Sequence, residues 1–208
     1  MIVVSAAFLV WSGIAPVDRG VWVFENVPGV VGVTILCAVY HRFRFSGLVY
    51  GLVAFHFAIL AIGGKYTYAL NPVFEWLRET LNLARNHYDR VGHFAQGFFP
   101  AIVVREVLIR TSPLERGKWV FFLSTAVCLA FSAIWELIEW WMVILLYPDQ
   151  GPAWLGTQGD AWDAQQDMFM ALSGAVLSLL VLSRLHDRSM ERNAGRTNAG
   201  HAEQVKGG

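Results

Sequence analysis

The chain has 208 residues, of which 55% are hydrophobic and only 15% charged. A soluble domain averages about 25% charged residues, so this composition and a mean hydropathy of +0.44 argue against a charge-covered soluble fold. The formal net charge of zero gives no electrostatic footprint for nucleic acid, and no nucleic-acid partner is expected. Cys37 and Cys128 each lie in an apolar run, where a thiol acts as a small core residue; no disulfide is expected between them.

Six apolar runs approach the ~20 residues that a spanning helix needs. The first, Ile2 to Pro16, is short. It lacks a basic n-region and five more runs follow it, so it is read as an uncleaved span. The second covers Val27 to Tyr40, with Val21 to Phe24 as an extension, and the third covers Ser46 to Gly63. Pro72 to Asn86 mixes Val73, Phe74, Trp76 and Leu77 with Glu75, Arg78 and Glu79, the pattern of an interfacial amphipathic helix. The fourth run is Tyr88 to Ile109, and the fifth, Trp119 to Tyr147, is long enough to tilt. The sixth is Met168 to Leu185. Asp187 to Gly208 is polar and lacks aromatics, so residues 1–186 are expected to form a membrane domain and 187–208 a disordered cytoplasmic tail. The expected fold is an all-α polytopic membrane bundle of about six transmembrane helices plus an outer interfacial amphipathic helix.

Basic residues in short loops set orientation. Arg42 and Arg44, then Arg110, Arg116 and Lys118, then Arg184, Arg188, Arg192 and Arg196 fall on one side. On the other, Asp18 and Glu25 accompany Arg19, the loop between the third and fourth runs is mixed, with Lys65, Arg78, Arg85 and Arg90, and Pro148 to Asp167 holds no Lys or Arg. Both termini are therefore expected in the cytoplasm.

That orientation brings scattered ionisable residues to one depth near the outer leaflet. Asp89 and His93 share a helix face at i, i+4, and Gln96 continues it; Glu136 and Glu139 share another face at i, i+3. Asp160, Asp163 and Asp167 follow at i, i+3, i+7, with Gly174 a heptad beyond. Ionisable groups at membrane depth face the bundle interior and mark functional sites. Carboxylates and imidazole from several helices are also the usual ingredients of a metal site. Each group has a plainer reading as well. The acids pair with one another or with Arg90 and Arg105, and His56 is a satisfied core histidine. Asp160 is a helix cap, Arg105 snorkels to the cytoplasmic surface, and Trp140, Trp141, Trp154 and Trp162 form an interfacial belt.

The segments H-F-A-I-L-A-I-G-G-K-Y-T-Y, Y-D-R-V-G-H-F-A-Q-G-F, W-E-L-I-E-W-W and G-T-Q-G-D-A-W-D-A-Q-Q-D-M, in that order, resemble the YjdF-type family of bacterial inner-membrane proteins. The resemblance implies a topology and a location rather than a reaction. A weaker, VanZ-like resemblance rests on Asp89-Arg90, His93-Phe94, Glu136 with Glu139, and Asp163 or Asp167 followed by Gly174. Arg90 stands there for a Lys and Glu139 for a Gln, and the likeness implies an envelope role.

The leading expectation is a metal-dependent enzyme whose partners are membrane lipids and whose substrate is a lipid or lipid-linked envelope molecule. Asp89, His93, Glu139 and Asp167 would bind a divalent ion, Zn, Mn or Fe. Glu136 or Asp163 would act as general acid or base. His56, Tyr66, Tyr68, Gln96 and Asp160 would meet the substrate. The alternatives are a transporter or small-molecule binder using the same groups, and a structural envelope protein whose polar cluster locks helix packing.

Overall fold

The computed structural model describes residues 1–146 and 157–206, with side chains described as far as Asn193. These residues form seven helices: α1 (Ile2–Gly13), α2 (Arg19–Val39), α3 (Gly47–Lys65), α4 (Pro72–Leu81), α5 (Tyr88–Thr111), α6 (Lys118–Leu146) and α7 (Asp163–Lys206). Their starts follow capping chemistry. The Asp18 carboxylate accepts from the Val21 amide at 2.9 Å to open α2. Asn71 accepts from the Val73 and Phe74 amides, and Pro72 supplies the preset first turn of α4. Asn82, left-handed at φ 51°, then stops α4.

Helix α5 is the centre of the bundle and packs against α7, α6 and α3; α2 and α1 pack on the far side of α3. The α5–α7 contact is backbone on backbone. A Cβ on Gly97 would lie 1.8 Å from the Ala171 carbonyl oxygen, and one on Gly174 would lie 2.1 Å from that of Phe94. Only glycine fits at either point, and small residues are what let membrane helices approach this closely. Below the contact, Val49, Ala101, Ile102, Cys128, Ala175 and Leu179 form an apolar core.

By length and composition, α2, α3, α6 and the Asp163–Asn193 part of α7 are able to cross a membrane. Their outer faces expose Val27, Val31 and Ile35, then Phe122, Ile134 and Leu145, then Leu180 and Val181. So much outward apolar surface suits lipid and not water. Helix α1 has only 12 residues. Helix α5 has 24 residues, but Asp89, Arg90, Arg105, Glu106 and Arg110 keep it from reading as an apolar span.

Several boundaries differ from the sequence expectation. Helix α2 begins at Arg19 and not Val27, which places Glu25 and Asn26 inside the helix. Helix α7 begins at Asp163, so Asp167 is already in its first turns. The amphipathic helix ends at Leu81, and the chain to Asn86 turns inward, burying Arg85 and Asn86. Arg105 does not snorkel. It is buried, and donates to the His186 Nδ1 and to Asp187, each at 2.8 Å. His186 Nε2 then donates to Glu106 at 2.9 Å; Glu106 also accepts from the Ser46 amide at 2.9 Å and from Arg110 at 2.7 Å. Where disorder is expected after Asp187, helix continues to Lys206. Ser189 accepts from the Leu48 amide at 3.1 Å, and Asn193 donates to the Arg44 and Phe45 carbonyls at 3.1 and 3.2 Å. These bonds hold the first turns of the expected tail against the start of α3. Trp140, Trp141 and Trp162 are exposed, as a belt requires; Tyr147, Trp154 and the rest of 147–156 lie outside the described residues.

Candidate functional site

Two turns of chain at one end of the bundle build the site. After α4, Asn86 binds the Asn71 carbonyl through its side-chain amide at 3.0 Å, and its side-chain oxygen accepts from the Tyr88 amide at 3.1 Å. Before α7, Gln158 pairs with the backbone of Asn86 in both directions, at 2.9 and 3.0 Å. This clasp sets the Q-G-D motif beside the start of α5. It lets Arg85 and Arg90 reach the aspartates that lead into α7.

The two arginines organise four aspartates. Arg90 contacts Asp167 at 2.5 Å, Asp163 at 2.8 Å and Asp160 at 3.3 Å. Arg85 binds Asp163 and reaches Asp89 at 3.4 Å and Asp160 at 3.6 Å. Asp163 therefore sits between two guanidinium groups. Asp160 is the most exposed of the four, and its Oδ1 accepts from the Trp162 amide at 2.9 Å. That bond, with Arg90 and Arg85 nearby, holds its carboxyl below the ordinary carboxylate value.

His93 stands at the inner edge of this group. Its Nε2 lies 3.7 Å from Asp89 Oδ1, 3.6 Å from Glu136 Oε1 and 3.9 Å from Asp167 Oδ1. Its Nδ1 lies 3.1 Å from Gln96 Oε1. That oxygen only accepts, so Nδ1 donates to it and Nε2 faces the carboxylates. Glu136 Oε1 is buried with no hydrogen bond among the described residues. Asp89, His93 and Asp167 offer donor atoms that all lie within 4.8 Å of one another, a group able to hold a metal ion.

A cavity of about 70 Å³ adjoins His93 and Asp89. Glu25, His56, Tyr68, Trp135 and Glu139 are among its walls. The Tyr68 ring fills a slot that exists because Gly63 and Gly92 lack side chains. A Cβ there would come within 2.2 and 2.6 Å of the ring. Burial, with Glu25 and Tyr88 beside it, holds the Tyr68 phenol well above its ordinary range, so it stays protonated.

The fold thus brings together Asp89, His93, Gln96, Glu136, Asp160, Asp163 and Asp167, and sets Glu139, His56 and Tyr68 on the cavity. Tyr66 is half-buried with its ring near Lys65, away from the cavity lining. Two further residues of the site, Arg85 and Glu25, are not among the site residues expected from the sequence. Arg85 falls in the amphipathic stretch there, and it meets Asp89 at 3.4 Å from the turn before α5 and not along a helix face. Glu25 falls in a loop there, and taking Val21 to Tyr40 as one helix is what places it inside the bundle.

Helices with apolar outer faces around a buried, ion-paired polar core define a multi-pass helical membrane protein. Residues 1–188 match the family described as "Predicted membrane protein (DUF2238)". The chain is 44% identical over 185 residues to the Inner membrane protein YjdF of Escherichia coli (strain K12), a stretch covering 88% of each chain. The chain belongs to this YjdF-type family, and it is a multi-pass inner-membrane protein. No solved structure matches it.

Proposed function

We propose that this chain is a metal-dependent membrane enzyme acting on a lipid or lipid-linked envelope molecule, with a divalent ion held by Asp89, His93 and Asp167. One observation carries the reading. His93 Nε2 is 3.6–3.9 Å from three carboxylate oxygens, too far for hydrogen bonds. Ligand atoms on a tetrahedral ion with bonds of about 2.1 Å stand about 3.4 Å apart. The donor set fits as well. A ligating imidazole ordinarily donates its other N–H to an acceptor that fixes the ring, and Gln96 occupies that place. Glu136, whose Oε1 has no hydrogen bond among the described residues and lies 3.6 Å from His93 Nε2, stands beside that centre without being counted among its ligands. A mixed imidazole and carboxylate set in this shape suits Zn; Mn and Fe are the alternatives.

The site and its cavity gather seven carboxylates (Glu25, Asp89, Glu136, Glu139, Asp160, Asp163 and Asp167), and of these Arg85 and Arg90 pair with the four aspartates alone among the described residues. A dication lessens that excess, which low-dielectric surroundings would otherwise penalise. When bound, the ion would supply Lewis-acid polarisation and a water of lowered pKa. The residues around it divide the remaining work. Arg85 and Arg90 ion-pair with Asp163 and fix the first turn of α7. Glu136, with no guanidinium on it, is the general acid or base, and Glu139 stands on the substrate side. The six-span arrangement, with α1 and α5 crossing and both termini cytoplasmic, puts this site toward the periplasm.

The rival reading, a proton or cation carrier, needs polar groups continuing along α5. Between Gln96 and Arg105 that helix buries Gly97, Phe99, Ala101 and Ile102, which favours a closed site. Elemental analysis of protein purified without chelator near neutral pH is expected to find stoichiometric metal. His93→Ala and Asp89→Asn should each lower it, while Ser132→Ala, a buried change elsewhere on α6, should keep it. Wild-type protein that carries no metal and takes none up on titration would end the metal reading and leave the carrier or structural class.

A further inference from the structure

The cavity beside His93 has a chemistry of its own. Among the described residues its lining includes three carboxylates, Glu25, Asp89 and Glu139, and no Lys or Arg. Trp135 and Tyr68 add aromatic surface, and rings of this kind attract cations. His56 Nε2 is buried in this wall and has no hydrogen-bond partner among the described residues. A buried polar atom without a partner in an acid-lined cavity points to a ligand that supplies one. Arg85 and Arg90, which neutralise the aspartates leading into α7, are absent from the lining.

The size of the cavity restricts the ligand. A cavity of about 70 Å³ is small and takes a primary ammonium with its adjoining methylene. A trimethylammonium is bulkier and lacks the N–H donors that the carboxylates and His56 would accept.

The walls also show a route in. Helix α2 packs on α3 and α1, and α6 packs on α5 and α7; α2 and α6 share little packing with each other. Across this seam they meet through the Phe24 and Trp135 rings, stacked at 4.8 Å and 29°. Glu25 and Pro28 on α2 and Trp135 and Glu139 on α6 all line the cavity, and Pro28 is exposed on the outer face of the bundle. A ligand can therefore enter sideways from lipid.

We infer that this cavity binds the primary ammonium of an amino-phospholipid headgroup, admitted between α2 and α6. The inference rests on the proposed enzyme reading for its purpose, since it names that enzyme's substrate class, but the binding itself does not require the metal.

The test reconstitutes the full chain in nanodiscs of phosphatidylglycerol with phosphatidylethanolamine, N-trimethylated phosphatidylcholine or no second lipid. Lipid retained after detergent exchange is then quantified by mass spectrometry. At least about tenfold preference for the ethanolamine lipid over the choline lipid is expected, because a site built to bond N–H groups rejects an analogue lacking them. Glu25→Gln and Glu139→Gln should each reduce that preference severalfold. Equal retention of the two lipids by wild-type protein would overturn the inference, and that comparison needs no variant to fold. A preference unchanged in both variants, verified as monodisperse, would overturn it too. Millimolar free ethanolamine is the second arm. If it displaces the lipid at concentrations where ethanol has no effect and binds as tightly as the lipid, the ligand is a soluble amine and the lipid assignment fails. Metal content measured on the same samples separates the two ideas. Selective retention without metal keeps the pocket and removes the metalloenzyme, whereas metal without selectivity does the reverse.

Discussion

Asp160 is the point where the charge cluster meets solvent. The Trp162 amide and the two arginines favour its ionised form, so its folded pKa lies below the unfolded value of about 3.9. A depressed carboxyl stabilises the native state above the unfolded value and loses that contribution as pH falls through the folded one. Asp160→Asn should therefore lower the melting temperature in detergent at pH 7, and by less than Asp163→Asn, because Asp163 is buried between both guanidiniums. As pH falls below the unfolded value the difference between Asp160→Asn and wild type should narrow. A gap that does not change with pH would mean that Asp160 acts through shape and not charge. Asp163→Asn weakens both ion pairs of a buried carboxylate, and breaking such pairs costs about 3–5 kcal/mol.

At the scale of helices, the α5–α7 contact fixes how far His93 stands from Asp167. Gly97→Val forces a Cβ into the Ala171 carbonyl. Overpacking of this kind costs about 3 kcal/mol, or roughly 10 °C of melting temperature in a chain of this size. At Gly51, within α3, an added Cβ would meet nothing within 4 Å; Gly51→Ala should be neutral or stabilise by up to about 1 kcal/mol. Thermal melts of both variants check the pair, and equal melting points would remove the close-contact argument. The end of α7 gives a second comparison. Truncation after Asn193 keeps the bonds to Leu48, Arg44 and Phe45 and should leave the melting temperature unchanged. Truncation after Arg188 removes them, at about 1 kcal/mol per bond, and should lower it by several degrees. If both truncations melt like the full chain, those bonds contribute nothing to stability.

For the molecule as a whole, the proposed orientation follows from the basic residues near Arg44, Arg116 and Arg188. Single cysteines introduced in a background lacking Cys37 and Cys128 test it. A cysteine at Thr157 should react with an impermeant thiol reagent from the periplasm, and one at Ser112 should not. The reverse result would move the polar site to the cytoplasmic leaflet and end the envelope-substrate reading.

The apolar runs and the i, i+4 spacing of Asp89 and His93 were legible because both signals are local. Hydropathy adds along the chain, and helical spacing alone decides which side chains share a face. That much determined the helical membrane class, the family resemblance and the list of ionisable residues that need partners. The pairing itself was not in the list. Arg85 reaches Asp163 only because the chain turns inward after Asn82, and Glu25 reaches the cavity only because α2 begins a turn and more before its apolar run. Gln158 clasps Asn86 across a separation of 72 residues. Such partners depend on helix rotation, on the path of short turns and on the glycine contacts that set interhelix distance. Those quantities are fixed by packing among several helices at once, so the tertiary structure alone decided which carboxylates the arginines hold and which remain facing His93.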